Sequence, residues 1–178
     1  FRLQCAAMAD KDQNPDNADL DEIRRSIDAV DARIQELISE RARYAQQVGV
    51  AKSNGGGPVN YYRPEREAQV LRGVVERNTK GPLKDEEMVR LFREIMSACL
   101  AQEEPLKVGY LGPEGTFTQS AVFKHFGHSV RALPLTTIEE VFHEVESGSA
   151  DFGVVPIENS TGGMVNHTLD MFLNSPLK

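Results

Sequence analysis

From Leu20 to Lys52 the apolar residues Leu20, Ile23, Ile27, Val30, Ile34, Leu37, Tyr44, Val48 and Ala51 follow one another mostly at spacings of three and four. That is the heptad pattern of a helix with a single apolar seam. Seam position 41 breaks the pattern with an arginine. No glycine or proline interrupts the run before Gly49, and Asp19 with Glu22 supplies a capped, acidic start. The pattern predicts one helix over Leu20 to Lys52, about 50 Å long at about 1.5 Å per residue, more than a compact domain of this chain can span. A second copy of the helix is the expected partner. Ser53, Asn54, Gly55, Gly56, Gly57 and Pro58 then read as a flexible connection. Pro64 opens a second helix, with Glu65 and Glu67 near its positive end and Val70, Leu71, Val74 and Val75 as its apolar face, and Asn78 to Pro82 stop it. A third helix runs from Lys84 or Asp85 to about Glu103, carrying Met88, Leu91, Phe92, Ile95, Met96 and Cys99, and Pro105 closes it.

From Leu106 short apolar runs alternate with amphipathic segments, the grammar of an α/β unit with parallel strands. Strands are expected at Lys107 to Leu111, Val130 to Leu133 and Phe152 to Pro156. Helices are expected near Gly115 to Phe126 and Thr137 to Ser147, with a further short helix beginning near Gly163. Such a set makes a thin core, so this second domain is expected to be incomplete. The organisation read from the pattern is a disordered N-terminal tail over 1–18, an all-α three-helix domain over 19–104 and a partial α/β domain over 105–178.

Composition narrows the partners. A net charge of −7 and a pI near 5.2 argue against a general nucleic-acid binder or an anionic-membrane binder, while permitting a local basic pocket for a small anion. No apolar run approaches the roughly 18 residues that span a membrane. Cys5 and Cys99 form no CxxC or Cys/His spacing, so neither a disulfide framework nor a metal site is expected, and a reducing cytoplasm fits best. Residues 1–7 lack the pattern of an export signal, and Met8 is a candidate start.

Candidate chemistry begins with the cations of the first helix. Lys52 follows Arg41 by about three turns and shares its face, whereas Arg24 is rotated by about 100° and lies roughly 42 Å along the axis from Lys52. One small ligand cannot reach both on one chain, but an antiparallel copy would bring its Arg24 to the Arg41 and Lys52 region. The alternative is that Arg24 and Lys52 are solvated surface charges. Glu67 lies four residues before Leu71 and Glu103 four after Cys99, over the apolar stripes, with Arg66 beside Glu67. In the α/β half, "GYLGPEGTFTQSA" over 109–121 is a strand, a Gly/Pro turn and a helix start, with Thr116 and Thr118 near backbone N–H groups suited to an anion. The run "DFGVVPIENSTGGMVNHTLD" over 151–170 sets Glu158, Asn159, Ser160 and Thr161 just past a strand end, where α/β proteins usually bind ligands.

Arg24, the "ERARYAQQVGVAK" run with Arg41 and Lys52, "YYRPERE" and "LFREIMSACLAQE" together resemble the all-helical class of chorismate mutase. The resemblance implies an intertwined helical homodimer through the long first helix that rearranges chorismate to prephenate in sites lined by both chains, without a cofactor. It implies that Arg24 reaches the partner's site, that Arg41 and Arg66 bind substrate carboxylates, that Lys52 contacts the ether oxygen and a carboxylate, and that Glu67 holds the hydroxyl. Three positions depart from one familiar form of the pattern. Arg63 stands where an Asp can contact the hydroxyl, Cys99 where a Ser can, and Glu103 where a Gln can meet the ether oxygen. An ionised Glu103 only accepts hydrogen bonds, so it aids the reaction only when protonated. Burial and the substrate's carboxylates push its pKa up, while Lys52 and Arg41 pull it down.

The two α/β runs in their order resemble the amino-terminal part of prephenate dehydratase, and the fusion resembles the bifunctional chorismate mutase/prephenate dehydratases of phenylalanine synthesis. For the α/β half this implies one lobe of a two-lobed, periplasmic-binding-protein-like fold binding prephenate, with Thr116 and the Glu158, Asn159, Ser160 segment facing the cleft. The family's Thr-Arg-Phe motif, which supplies the catalytic threonine, is not within the 178 residues. The chain as it stands is therefore expected to release prephenate rather than dehydrate it. A rival reading is a non-catalytic helical dimerisation module fused to an α/β small-anion-binding fragment, which has no need of an arginine at position 41.

Overall fold

The computed structural model describes residues 15–53, 62–159 and 163–177. The first part of the expected tail, the glycine-rich connection after Ser53, and Ser160 with Thr161 lie outside these residues. The chain divides into two compact units, residues 1–40 and 41–178. Helix α1, Pro15–Ser53, contributes to both. Its 39 residues extend to about 58 Å, and it starts inside the stretch expected to be tail because Pro15 suits the first helical turn. In the first unit the seam residues Leu20, Ile23, Ile27, Val30, Ile34 and Leu37 are 48% to 61% exposed, a row of large apolar side chains still facing solvent.

The second unit begins with the last turns of α1. Arg63 is extended, and its carbonyl accepts the N–H groups of Arg66 and Glu67 at 3.0 Å each, which starts α2 (Pro64–Arg77) with proline at its first position. Asn78 ends α2 and staples the turn to the next helix, its Nδ2 donating to the Leu83 carbonyl at 3.0 Å and to Asp85 Oδ1 at 2.8 Å. Helix α3, Asp85–Leu100, packs against α2 and stops three residues short of the expected end, in a turn over 101–103.

The α/β part holds a parallel sheet of order β2-β1-β3, built from β1 (Lys107–Leu111), β2 (Arg131–Leu135) and β3 (Phe152–Val154). Val108 and Tyr110 in the central strand are fully buried. Helix α4 (Phe117–Phe126) links β1 to β2, and α5 (Ile138–Glu146) links β2 to β3; Thr116 and Thr137 cap them by accepting from the N–H groups of Gln119 and Glu140. A two-stranded antiparallel ribbon, β4 (Glu158–Asn159) with β5 (Gly163–Met164), and helix α6 (Asn166–Asn174) follow. The ribbon takes up Gly163, which the pattern assigned to the start of the last helix.

The core ignores the change of sequence grammar near residue 105. Tyr62, which precedes α2, is 7% exposed and shares one cluster with Leu106, Val108, Tyr110, Val122 and Phe126. Its ring lies 5.7 Å from that of Phe126 and meets the ring of Phe152 edge-on at 5.3 Å. Such arrangements are the favoured ones for aromatic rings.

Candidate active site

Three helix faces converge on a pocket of about 420 Å³. From α1 come Arg41, Ala45, Val48 and Lys52, spaced four, three and four apart on one face. Arg63, which precedes α2, and Arg66, Glu67 and Val70 in its first turns are spaced three, one and three apart on one face, and α3 gives Arg93, Met96, Ser97 and Leu100. Cys99 and Glu103 complete the α3 side, and Tyr62, Leu106 and Phe126 form an apolar wall. Five cationic side chains (Arg41, Lys52, Arg63, Arg66, Arg93) face two carboxylates (Glu67, Glu103), a positive cavity in a chain of net charge −7. Such a lining concentrates a small polyanion out of solvent.

Glu67 is held by two neighbours, Arg93 and Tyr62. Arg93 Nε donates to its Oε1 at 3.2 Å, with the two side chains only 24% and 15% exposed. Tyr62 also hydrogen-bonds Glu67; burial first, then the negative charge of Glu67 and that bond, hold the phenol proton well above its usual range, against a smaller pull from Arg93. At Glu103 burial raises the carboxyl above its ordinary pKa, and the Lys52 ammonium offsets part of that. Gly49 lets α1 approach: a Cβ there would lie 2.6 Å from Glu103 Oε2. Arg66 donates from Nη1 to Gln69 Oε1 at 2.6 Å, one turn along its own helix. Cys99 is buried and free.

Of the residues singled out from sequence, Arg41, Lys52, Arg63, Arg66, Glu67, Cys99 and Glu103 are thus brought together. Arg24 belongs to the first unit, where Nη1 pairs with Asp21 Oδ1 at 3.1 Å on an exposed face. Thr116 and Thr118 sit at the start of α4: their hydroxyls are 2.8 Å apart, Thr116 donates to the Pro113 carbonyl at 2.9 Å, and Thr118 donates to the Leu111 carbonyl at 2.5 Å. Glu158 and Asn159 form β4 and are exposed. Ser160 lies outside the described residues. Arg93 and Tyr62 were not anticipated. Arg93 precedes Met96, Leu100 and Glu103 by three, seven and ten residues, so it is a cation in the α3 stripe, the same signal that marks Arg41 in α1. Nothing local announces Tyr62.

Among the described residues, no group of three or more His, Cys, Asp or Glu side chains could hold a metal ion, and no helix is long and apolar enough to cross a membrane. The pocket combines cationic side chains with an apolar wall.

Comparison with known proteins agrees in both halves. Residues 23–104 match the family "Chorismate mutase type II", and residues 108–178 match "Prephenate dehydratase". A bifunctional chorismate mutase/prephenate dehydratase of Pseudomonas aeruginosa is 58% identical over 170 residues, covering 93% of this chain and 44% of that protein. Proteins of the same name from Stutzerimonas stutzeri (60% over 154 residues, 85% of this chain and 42% of that protein) and Aquifex aeolicus (44% over 163 residues, 90% and 44%) are similar along the same span. The chain spans less than half the length of these curated relatives.

Proposed function

We propose, from the premise that residues 23–104 of the chain belong to the chorismate mutase type II family and residues 108–178 to the prephenate dehydratase family, that the cationic pocket of α1, α2 and α3 rearranges chorismate to prephenate. The observation that carries this reading is the set of five cations and two carboxylates around one cavity with an apolar wall. The reaction is pericyclic: the ether C–O bond breaks as a C–C bond forms, with no nucleophile and no proton transfer. Catalysis then consists of holding the substrate in its reactive conformer and complementing the charge that develops on the ether oxygen. In our reading Arg41 and Arg66 bind the two carboxylates, Lys52 donates to the ether oxygen, and Glu103 donates beside it when protonated. Glu67 holds the hydroxyl, and Arg63 and Cys99 shape that end of the site.

Two further features belong to the proposal. The exposed seam of α1 supports a homodimer in which Arg24 of the partner subunit completes each site. The three-stranded parallel layer is read as one lobe of a two-lobed, periplasmic-binding-protein-like dehydratase, with Thr116, Glu158, Asn159 and Ser160 toward prephenate. We place this chemistry in the cytoplasm. The 178-residue chain by itself is expected to accumulate prephenate without forming phenylpyruvate.

The test is the loss of chorismate absorbance with the purified chain, paired with Arg41→Leu. Leucine restores the apolar seam, so the variant should keep its helical circular dichroism while turnover falls by about 10²-fold or more. A folded wild-type chain with no turnover would end the enzyme reading, and an Arg41→Leu variant as active as wild type would remove Arg41 from the site.

A further inference from the structure

The face of α3 that meets the pocket also receives the end of α4. Arg93 Nη1 donates to the Lys124 carbonyl at 3.2 Å. Lys124 lies in the last turn of α4, where carbonyls have no partner within the helix and carry the negative end of its dipole. One residue on, Glu94 accepts the His128 N–H at 3.0 Å and lies 2.8 Å from His128 Nδ1, and Ser97 Oγ accepts the Ser129 N–H at 3.3 Å. Gly127, at φ 80°, fits so closely that a Cβ would stand 2.5 Å from Ser97 Cβ. The guanidinium that holds α4 is the one whose Nε holds Glu67. Tyr62, the other neighbour of Glu67, is itself lodged against Phe126 and Phe152 of the α/β layer.

We infer that Arg93 is a positioning residue through which the α/β layer sets Glu67 for the substrate hydroxyl, so that the mutase site is completed only when the end of α4 is seated on α3. This rests on the reading of the pocket as a chorismate mutase site. A planar guanidinium bonded at two of its nitrogens fixes the carboxylate's direction as well as offsetting its charge, which a lysine ammonium cannot do. The α/β half thereby acts on a reaction to whose pocket, among the described residues, it contributes only the apolar wall residues Leu106 and Phe126.

The test is a cycle of 178-residue chains assayed for chorismate turnover: wild type, Arg93→Lys, Gly127→Ala, Glu67→Gln, and the first two substitutions combined with Glu67→Gln. Arg93→Lys keeps the charge and should lower kcat about tenfold or more while KM changes less. Gly127→Ala, which does not line the pocket, should lower kcat in the same direction by lifting α4 from α3. In the Glu67→Gln background each should cost no more than about twofold, because the group they position is already altered. If Gly127→Ala does not fold, the Arg93→Lys and Glu67→Gln pair decides alone. Values of kcat within twofold of wild type for both single variants, or losses undiminished in the Glu67→Gln background, would overturn the inference while wild-type turnover left the proposed function standing. A wild-type chain without turnover would bring down both.

Discussion

Glu103 sits where burial and a neighbouring ammonium pull in opposite directions, and burial prevails: the carboxyl is raised above its ordinary value. The sequence presents that competition without its outcome, since the depth of the side chain depends on how closely α1 approaches. A raised pKa keeps the proton to higher pH, and only the protonated form donates to a developing negative charge. Mutase kcat/KM should therefore be highest on the acid side and fall as pH rises through the Glu103 pKa in the occupied site. Glu103→Gln should match wild type at low pH and lose much less between about pH 7 and 9; superimposable profiles would remove Glu103 from the reaction. The same side chain gives Gly49 its meaning. A methyl at 49 has nowhere to go without moving the flexible carboxyl, so Gly49→Ala should cost little stability yet lower kcat about tenfold by displacing the donor. An unchanged kcat would mean that Glu103 shifts without consequence. Arg41 could be read from sequence because a cation in a heptad seam is a local anomaly, and Lys52 because it follows on the same face about three turns later. The pairing of Glu67 with Arg93 could not, because it joins residues 26 apart and leaves no mark on either neighbourhood.

Among the elements, α1 shows both the strength and the limit of periodicity. Its seam was plain in the sequence, and so was the mismatch between its length and any core one chain could offer. Six seam residues in the first unit remain 48% to 61% exposed, and a stable helix of this kind is expected to bury them against another. The unfolding midpoint should rise with protein concentration as a dimer requires, and mixing Arg24→Ala chains with Lys52→Ala chains should restore part of the activity that each lacks. A fixed midpoint with a monomeric sedimentation mass, or a silent mixture after confirmed subunit exchange, would refute the shared site. The strands of the parallel layer were legible as apolar runs, within a few residues at their ends. The β4–β5 ribbon was not, since two residues per strand cannot display a period of two.

At the scale of the molecule, two families meet in one chain and share one core. Tyr62 belongs by sequence to the helical segment and by contact to the α/β layer. Removing Phe126, which both touches Tyr62 and lines the pocket, should destabilise the second unit by about 3 to 5 kcal/mol and lower mutase turnover. Thermal unfolding followed by near-ultraviolet and far-ultraviolet circular dichroism should show the loss as one shifted transition of residues 41–178. Two separate transitions, with only the α/β part shifted, would show that the halves fold independently.

The aromatic contact also sets a schedule. During synthesis Tyr62 leaves the ribosome well before Phe152, the ring it meets edge-on. At about 5 to 20 residues per second the gap is roughly 5 to 20 s. In the later part of that interval, once α3 has been made, the helical segment is complete but Tyr62 still lacks the ring of Phe152 behind it, and the apolar seam of α1 is free to find another nascent chain. Pairing of α1 between neighbouring chains on one message is thus expected to precede closure of the site, and subunits made together should be found together more often than random mixing allows.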